Sequence, residues 1–397
     1  RPGNKVVEFK ERTVFMGDTT TSARAYSEFN KAIELNPELL EDAQFEFKKL
    51  EEGDKENREL WDTSKKRTIE ELHKIYEKLG VTFDVEIGES DYEAALQPLI
   101  NHLVERGIAK ESDGAIIVPL EKFNLPPALI RKRDEATLYL TRDIASLQDR
   151  LKEYNADIVL YVVDNGQSLH FQQLFAIAEI TGLKDDFHHI KFGLVLGEDL
   201  KKLSTRYGGY IALAEIIDEA IKRARKVLEE KEVDMSDEEK EEVAKIVGIG
   251  ALKYNDLSQN RMADIAFDWD KMLSLQGNSA PYLQYTYARL RSILRRVNGK
   301  LPKLNAEAIE NEADLRLILK LAFFPEAVKA VSENYLPHQV ANYLYDLART
   351  INDYYEKEPI LKAEENLRAA RLNLVNAAAE TMKTGLGLLG IKGPERM

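Results

Sequence analysis

The sequence predicts an α/β domain with a parallel sheet, followed by an all-α helical bundle. Between Ala136 and Gly197, near-continuous apolar strands alternate with helical patterns, which is typical of a parallel sheet covered by helices on both faces. After Gly209 the pattern is helical almost to the end, in segments separated by Pro or Gly. Because 397 residues exceed one ordinary core, we expect two domains.

The first predicted domain, residues 1–240, contains the parallel sheet, an arrangement that suits nucleotide binding. It carries a helical insertion over about residues 24–130. Its parallel strands are indicated by the apolar segments ATLYL, DIVLYVV and FGLVLG. Inside the insertion, the alternation in GVTFDVEIGESDY indicates an edge strand, and GAIIVPL indicates another strand. The second domain, residues 241–397, is the helical bundle, and Ser236 is a predicted cap for the helix at its start.

Composition excludes several classes of function. The chain has no Cys, which excludes disulfides, thiolate catalysis and Cys-built metal sites and fits a reducing compartment. His188 and His189 are adjacent and point in different directions, so we expect no metal ligand there. No apolar run approaches the ~20 residues that a membrane span needs. A net charge of −13 argues against binding nucleic acid through the overall field of the protein.

A local basic stripe lies within this acidic chain. The segment RLRSILRRVNGKLPK, from Arg289 to Lys303, contains six basic residues and no acidic one. The preceding residues, GNSAPYLQYTYA, add aromatic side chains such as Tyr285 and Tyr287. Aromatic and basic groups in alternation suit RNA bases and phosphates. Simpler interpretations stay open, namely a solvated helix face for the cations and bundle core for most of the tyrosines.

Three side chains at the expected sheet edge suit a planar cation. Tyr139 and Asp143 lie four residues apart at a predicted strand-to-helix junction, and Gln167 begins the next such junction. A phenol ring stacks on a guanidinium group, a carboxylate accepts two parallel N–H bonds, and an amide oxygen accepts another. The simpler alternative is a core tyrosine and an acid in a first helical turn. His170, on the next helix, either supports a ligand or only packs.

A basic loop closed by two glycines follows the last predicted strand. In KKLSTRYGG, residues 201–209, Lys202 and Ser204 can reach phosphate oxygens, while Gly208 and Gly209 permit movement. An ordinary charged surface turn is the alternative, because short basic turns are common. The P-loop motif does not occur in the chain.

Taken together, these stretches resemble the arginyl-tRNA synthetases, a family of class I aminoacyl-tRNA synthetases. The resemblance runs in order from about residue 50 to Met397 and includes LGVTFDVEIGESDY, ATLYLTRDIA, YVVDNGQSLHFQQLF, FGLVLGEDLKKLSTRYGG, VGIGALKYNDLSQNR and GLGLLGIKGPERM. It implies the second part of a Rossmann-type catalytic domain with a parallel sheet, followed by a helical anticodon-binding domain.

The resemblance also implies roles for individual residues. Tyr139, Asp143 and Gln167 match the family's pocket for the arginine side chain, in agreement with the guanidinium interpretation, and His170 is a possible support for it. Tyr355 and Met397 match positions that touch the tRNA anticodon arm, and Tyr285 and Arg289, on a helix of the same anticodon-binding domain, are also expected to bind tRNA.

A second set of residues matches the mobile ATP-binding loop of class I synthetases, whose common form is KMSKS. Lys202 and Ser204 would stabilise the ATP phosphates in the transition state and are the implied catalytic residues. The matching residues are Lys202, Leu203, Ser204, Thr205 and Arg206.

The implied reaction has two steps. The arginine carboxylate attacks the α-phosphate of ATP, which gives arginyl-adenylate and pyrophosphate, and the 3′-terminal ribose of the arginine tRNA then accepts the aminoacyl group. The partners are L-arginine, ATP with accompanying Mg²⁺, and tRNA. The resemblance further implies a cytoplasmic monomer with no protein-bound metal and no membrane contact.

The sequence departs from the family pattern at its beginning. Class I synthetases carry a HIGH motif early in the nucleotide fold, and none of the six His here lies in such a motif. We therefore expect a fragment or the product of an incomplete gene, which by itself need not be active. The alternatives are a natural truncated paralogue that binds tRNA without catalysis, and an unrelated α/β scaffold in which every motif is accidental.

Overall fold

The structure, a computed structural model, describes residues 6–9, 12–15, 28–183, 186–196, 212–230, 235–297, 301–309 and 311–397. These residues form two compact units. The sheet unit consists of Phe83–Leu194 with Arg261–Asp264. The helical unit contains the chain up to Thr82, together with Val195–Asn260 and Ile265–Met397. Among the described helices, none is both long and apolar enough to cross a membrane.

The secondary structure is mostly helical. In chain order, the described elements are β1 (Val6–Phe9), β2 (Arg12–Phe15), α1 (residues 28–35), α2 (Glu38–Glu51), α3 (Lys55–Leu79), α4 (Glu93–Glu105), β3 (Lys110–Ser112), β4 (Ala115–Val118), β5 (Ala128–Arg131), α5 (Tyr139–Tyr154), β6 (Ile158–Tyr161), α6 (Ser168–Thr181), β7 (Asp186–His189), β8 (Val195–Leu196), α7 (Leu213–Glu230), α8 (Asp237–Leu257), β9 (Ile265–Ala266), α9 (Trp269–Met272), α10 (Ala280–Arg296), α11 (Glu312–Ala322), α12 (Phe324–Asn334), α13 (His338–Lys357) and α14 (Glu365–Leu388).

Two of the three parallel strands predicted from the apolar runs are confirmed. Strands β6 and β7 of the sheet unit pair in parallel, with Ile158 opposite Asp186, and α6 connects them. Within the helical unit, β8 pairs in parallel with β9, although FGLVLG contributes only Val195 and Leu196 to that strand. Ahead of the parallel strands, β3, β4 and β5 form an antiparallel sheet, as expected for a strand in GAIIVPL.

The core of the sheet unit fixes the positions of α5 and α6. Leu140, Ile144 and Leu147 recur at four- and three-residue spacings on α5, and all three are buried. Phe171 and Leu174 on α6 belong to the same core. Because both helices bury their apolar faces in one core, the polar residues of their first turns are held in defined places.

Two strand predictions were wrong. ATLYL does not form a strand, since α5 begins at Tyr139. The chain reverses after β5 in a tight turn, in which Lys132 N–H donates to Ala136 O at 3.0 Å and Glu135 adopts a φ of 65°. The turn includes residues that a strand would need. Within the described ATLYL segment, Thr137 alone forms a β-bridge, with Arg131.

The second wrong prediction is the edge strand in GVTFDVEIGESDY. Residues 81–88 have no regular secondary structure, and a 3-10 turn follows over Glu89–Tyr92. The alternating apolar side chains are exposed by 37% at Val81, 53% at Phe83 and 49% at Val85. Burial of one face is what normally drives an alternating segment into a sheet, and these side chains do not obtain it.

The predicted helical bundle is confirmed in the helical unit. Its core is built from α10, α13 and α14, with Tyr287, Leu344 and Met382 almost fully buried. Ser236 caps α8 as predicted: its hydroxyl accepts from Glu239 N–H at 3.2 Å, and the Glu239 carboxylate accepts from Ser236 N–H at 2.9 Å. Helices α7 and α8 approach closely at Gly248, where an added Cβ would lie 2.8 Å from the backbone of Ala220.

Candidate functional site

The first candidate site lies in the sheet unit, at the amino-terminal turns of α5 and α6. Asp143 on α5 and His170 on α6 are in direct contact, with 2.6 Å between Asp143 Oδ2 and His170 Nε2. Their side chains are 32% and 21% exposed, respectively, so both are half-buried but reachable from solvent. The structure therefore joins two of the four predicted residues of this site.

Tyr139 and Gln167 lie one helical turn earlier on the same two helices. Tyr139 is the first residue of α5 and is 69% exposed, which excludes the alternative of a core tyrosine. Gln167 directly precedes α6, is exposed, and stands three residues before His170. The four predicted residues thus border one surface region, with exposed groups at its rim and the carboxylate–imidazole pair deeper.

The loop before Gln167 is held by several hydrogen bonds. The Asp164 carboxylate accepts from Gly166 N–H at 2.8 Å, and Asn165 N–H donates to Phe192 O at 2.9 Å. The Asn165 amide group also donates to Met262 O at 3.2 Å. These bonds restrict the loop, so the position of Gln167 at the start of α6 is fixed before any ligand arrives.

A second carboxylate, which the sequence patterns did not single out, belongs to this site. Burial raises the pKa of Glu89 above its ordinary value; Arg142 and His170 oppose that increase, while Asp143 adds to it. Glu89 is therefore close enough to the pair to feel both members. The signal in the sequence was the acid of GESDY, which follows an alternating segment that we expected to be a strand.

The chemistry of this region suits a cationic ligand. The region contains two carboxylates, of which Asp143 contacts the imidazole of His170 and Glu89 interacts electrostatically with both residues, and an exposed phenol and an exposed amide lie at the rim. Carboxylates that keep part of their exposure can accept hydrogen bonds from an incoming guanidinium group without leaving a buried charge unpaired in its absence.

The structure does not describe the predicted ATP-binding loop. All five of its residues lie outside the described residues, and their role stays a prediction: Lys202, Leu203, Ser204, Thr205 and Arg206.

The second candidate site is a cavity of about 780 Å³ in the helical unit. Arg289 on α10 crosses it between two rings, with its guanidinium carbon 4.9 Å from the centroid of Tyr285 and 4.8 Å from that of Tyr355. Arg289 also donates to Asn352 Oδ1 at 2.8 Å. Met397 lines the same cavity, so the structure brings together all four residues that were predicted to bind tRNA.

Glu395 fastens the segment that ends in Met397. Its carboxylate accepts hydrogen bonds from Tyr287 at 3.0 Å and from Arg291 Nε at 2.8 Å, and its carbonyl accepts one from Arg295. Burial alone would raise the pKa of Glu395, but the bonds from Arg291 and Tyr287 hold it below its ordinary value. Burial, together with the hydrogen bond to Glu395, raises the pKa of Tyr287 to about 12.

A buried ionic network lies next to two residues of the cavity lining. Arg371 is 3% exposed and lies 3.2 Å from Asp314, which is fully buried. Its guanidinium also donates to the Glu358 carboxylate at 2.6 Å and to Pro359 O at 3.0 Å. Glu358 and Pro359 line the cavity just after Tyr355, so this network holds the turn that follows helix α13.

Comparison with known proteins finds two family models that follow one another along the chain. The family model described as "tRNA synthetases class I (R), catalytic domain" matches residues 8–269, and the "DALR anticodon binding domain" matches residues 283–397. A nucleotide-binding fold followed by a helical anticodon-binding domain defines a class I aminoacyl-tRNA synthetase.

The similar proteins are class I synthetases for one amino acid, arginine. An arginine–tRNA ligase of Halothermothrix orenii is 41% identical over 377 residues, which cover 94% of this chain and 66% of the relative. One of Ligilactobacillus salivarius is 42% identical over 404 residues, covering 100% of this chain and 70% of the relative. The chain belongs to the arginyl-tRNA synthetase family and spans about two thirds of the length of these relatives.

Solved structures agree with this assignment. The arginyl-tRNA synthetase of Thermus thermophilus superposes with a TM-score of 0.81 at 28% identity, covering 95% of this chain and 70% of that one. The Plasmodium falciparum arginyl-tRNA synthetase gives a TM-score of 0.76 at 27% identity, covering 92% and 63% of the two chains. The predicted fold class and family are therefore confirmed.

Proposed function

We propose that this chain contributes to ATP-dependent activation of arginine and its transfer to the 3′ end of tRNA. The observation that carries the proposal is the Asp143 carboxylate, oriented by His170 at 2.6 Å, in a chain 41% identical to an arginine–tRNA ligase. The proposed reaction begins when the arginine carboxylate attacks the α-phosphate of ATP and pyrophosphate leaves. The 3′-terminal ribose hydroxyl of the tRNA then takes the aminoacyl group from the adenylate.

In this proposal the sheet unit recognises the arginine side chain. Asp143 accepts two parallel N–H bonds from the guanidinium group, Tyr139 stacks on its plane, and Gln167 accepts a further N–H at the rim. Glu89 supplies a second negative charge. Lysine is rejected because its ammonium group is a point charge that cannot satisfy this planar set of acceptors.

We propose that Lys202 and Ser204 contact the ATP phosphates as negative charge develops during adenylate formation. Positioning and electrostatic stabilisation supply most of the rate in such a step, since the protein forms no covalent bond to the phosphate. Mg²⁺ would arrive with ATP as part of that substrate.

The helical unit would bind the anticodon arm of an arginine tRNA through Tyr285, Arg289, Tyr355 and Met397. The ring of Tyr355, which is 42% exposed, would stack on a base, and the cation beside it attracts the RNA. We keep the proposed division into residues 1–240 and 241–397, and we propose a cytoplasmic monomer.

Two assays test the proposal. Arginine-dependent exchange of pyrophosphate into ATP measures the first step, and attachment of labelled arginine to an arginine tRNA transcript measures both. We expect exchange with arginine and none with lysine. Exchange that is equally fast with lysine would contradict the assignment of the pocket.

A second candidate function is tRNA binding without catalysis. The observation that favours it is the cavity of the helical unit, which brings together Tyr285, Arg289, Tyr355 and Met397. Nanomolar to micromolar binding of an arginine tRNA transcript together with no pyrophosphate exchange would support this candidate over the first.

A further inference from the structure

The basic stripe from Arg289 to Lys303 contains two kinds of cation. Arg289 is enclosed by two rings, and Arg291 pairs with the Glu395 carboxylate at 2.8 Å. Arg295 donates to the carbonyl of Glu395. These three charges are committed to the structure of the protein, because each already has an internal partner.

Arg296 and Lys303 are different. Both are exposed, and neither forms an ion pair or a side-chain hydrogen bond within the described part of the chain. They line a cavity of about 630 Å³, to which α14 contributes Arg368, a third exposed cation, and Glu365, an acid. Three cations against one carboxylate give this cavity a net positive charge.

This basic cavity adjoins the tyrosine cavity that holds Arg289. Arg296 and Leu361 line both, so the two form one continuous surface in the helical unit. Lys362, also exposed, lies on the tyrosine side of that junction. The tyrosine cavity is therefore continuous with a group of exposed cations that have no side-chain partner within the described residues.

We propose that the basic cavity binds the sugar–phosphate backbone of the RNA whose base enters the tyrosine cavity. Arg296 and Lys303 would each neutralise a phosphate, and Arg368 would contact the same strand. Phosphate contacts fix the register of a nucleic acid, while base contacts select its sequence. The inference rests on the proposed binding of tRNA and adds the residues that set its position and its dependence on salt.

The salt dependence of binding tests this inference directly. Affinity of the whole chain for a fluorescently labelled arginine tRNA transcript is measured by anisotropy over about 50–300 mM KCl. Each phosphate contact adds about 0.7–0.9 to the slope of log affinity against log salt. We expect Arg296→Gln and Lys303→Gln each to reduce the slope by about that amount, and the double variant by about twice as much.

Two matched controls accompany these variants. Lys383→Gln removes an exposed cation of α14 that lies in neither cavity, and we expect the wild-type slope. Arg291→Gln removes a cation that is already paired, so we expect weaker binding through the loss of support for Glu395 but a slope close to wild type. Circular dichroism checks that all five variants remain folded.

The outcomes separate this inference from the proposed function. If the folded wild-type chain does not bind arginine tRNA, the proposed function is contradicted. If the wild type binds and Arg296→Gln and Lys303→Gln keep its slope, only the backbone-binding role of this cavity is overturned.

Discussion

His170 Nε2 lies 2.6 Å from Asp143 Oδ2, although the two residues are 27 positions apart in the chain and on different helices. The contact fixes the orientation of a carboxylate that is only partly buried. A carboxylate held in place can meet a planar guanidinium group with both oxygens aligned, so less side-chain entropy is lost when the ligand binds. The catalytic predictions begin from this pair.

Replacing Asp143 with Asn tests the arginine pocket. The amide keeps the size of the side chain but removes its charge and one acceptor. In an enzyme with the complete catalytic domain, we expect a higher KM for arginine and sharply lower turnover in pyrophosphate exchange. Asp149→Asn, an exposed position on the same helix, is the control. Near-normal kinetics of Asp143→Asn would remove this residue from the pocket.

Replacing His170 tests whether the imidazole positions Asp143. A hydrogen bond to a charged group contributes ~1.5–3 kcal/mol, so we expect His170→Ala to raise the KM for arginine about 10-fold or more. The KM for ATP should change little. His170→Gln, which can still donate to the carboxylate, should recover part of the loss. Equal effects of Ala and Gln on both substrates would indicate a packing role instead.

Lys202→Ala tests the predicted ATP loop. Loss of one well-placed donor in a transition state costs on the order of 10²–10³ in rate. We expect pyrophosphate exchange to slow by that factor while affinity for tRNA stays nearly intact. Unchanged exchange would remove the loop from the mechanism.

The Glu395 carboxylate makes the stability of the fold depend on pH. Its folded pKa is below the ordinary value of 4.5, so the carboxylate stabilises the fold above that pH and the contribution is lost as pH falls through the folded pKa. We expect the Tm of the wild type to fall more steeply than that of Glu395→Gln between about pH 5 and pH 3. Parallel curves from thermal denaturation would contradict the assignment.

Gly248 allows α7 and α8 to pack closely. An alanine Cβ there would lie 2.8 Å from the Ala220 backbone, and overpacking of this kind typically costs ~1–3 kcal/mol. We expect Gly248→Ala to reduce the free energy of unfolding by about that amount. Gly387→Ala, in α14 with no neighbour within 4 Å of the added atom, should leave stability unchanged or raise it by ~0.5–1 kcal/mol. Urea denaturation of both variants distinguishes packing from helix propensity.

Local patterns in the sequence predicted the elements that bury a regular face. The parallel strand at Ile158–Tyr161 and the capped helix after Ser236 followed from periodicity and capping chemistry, because those signals act over a few residues. ATLYL failed because apolar content cannot show that a turn at Asp134–Ala136 uses the residues of a strand. The alternating segment before Glu89 failed because alternation does not guarantee burial of either face.

The sequence by itself determined the class of fold, the family and the residue types at each site, since these depend on local periodicity and on ordered motifs. Only the tertiary structure decided which distant groups meet. It brought Asp143 to His170, placed Glu89 beside them, and divided the basic stripe into paired cations such as Arg291 and unpaired ones such as Arg296. Electrostatic and hydrogen-bond energies depend on distances between atoms. Residues far apart in the chain acquire those distances only when the core of each unit forms.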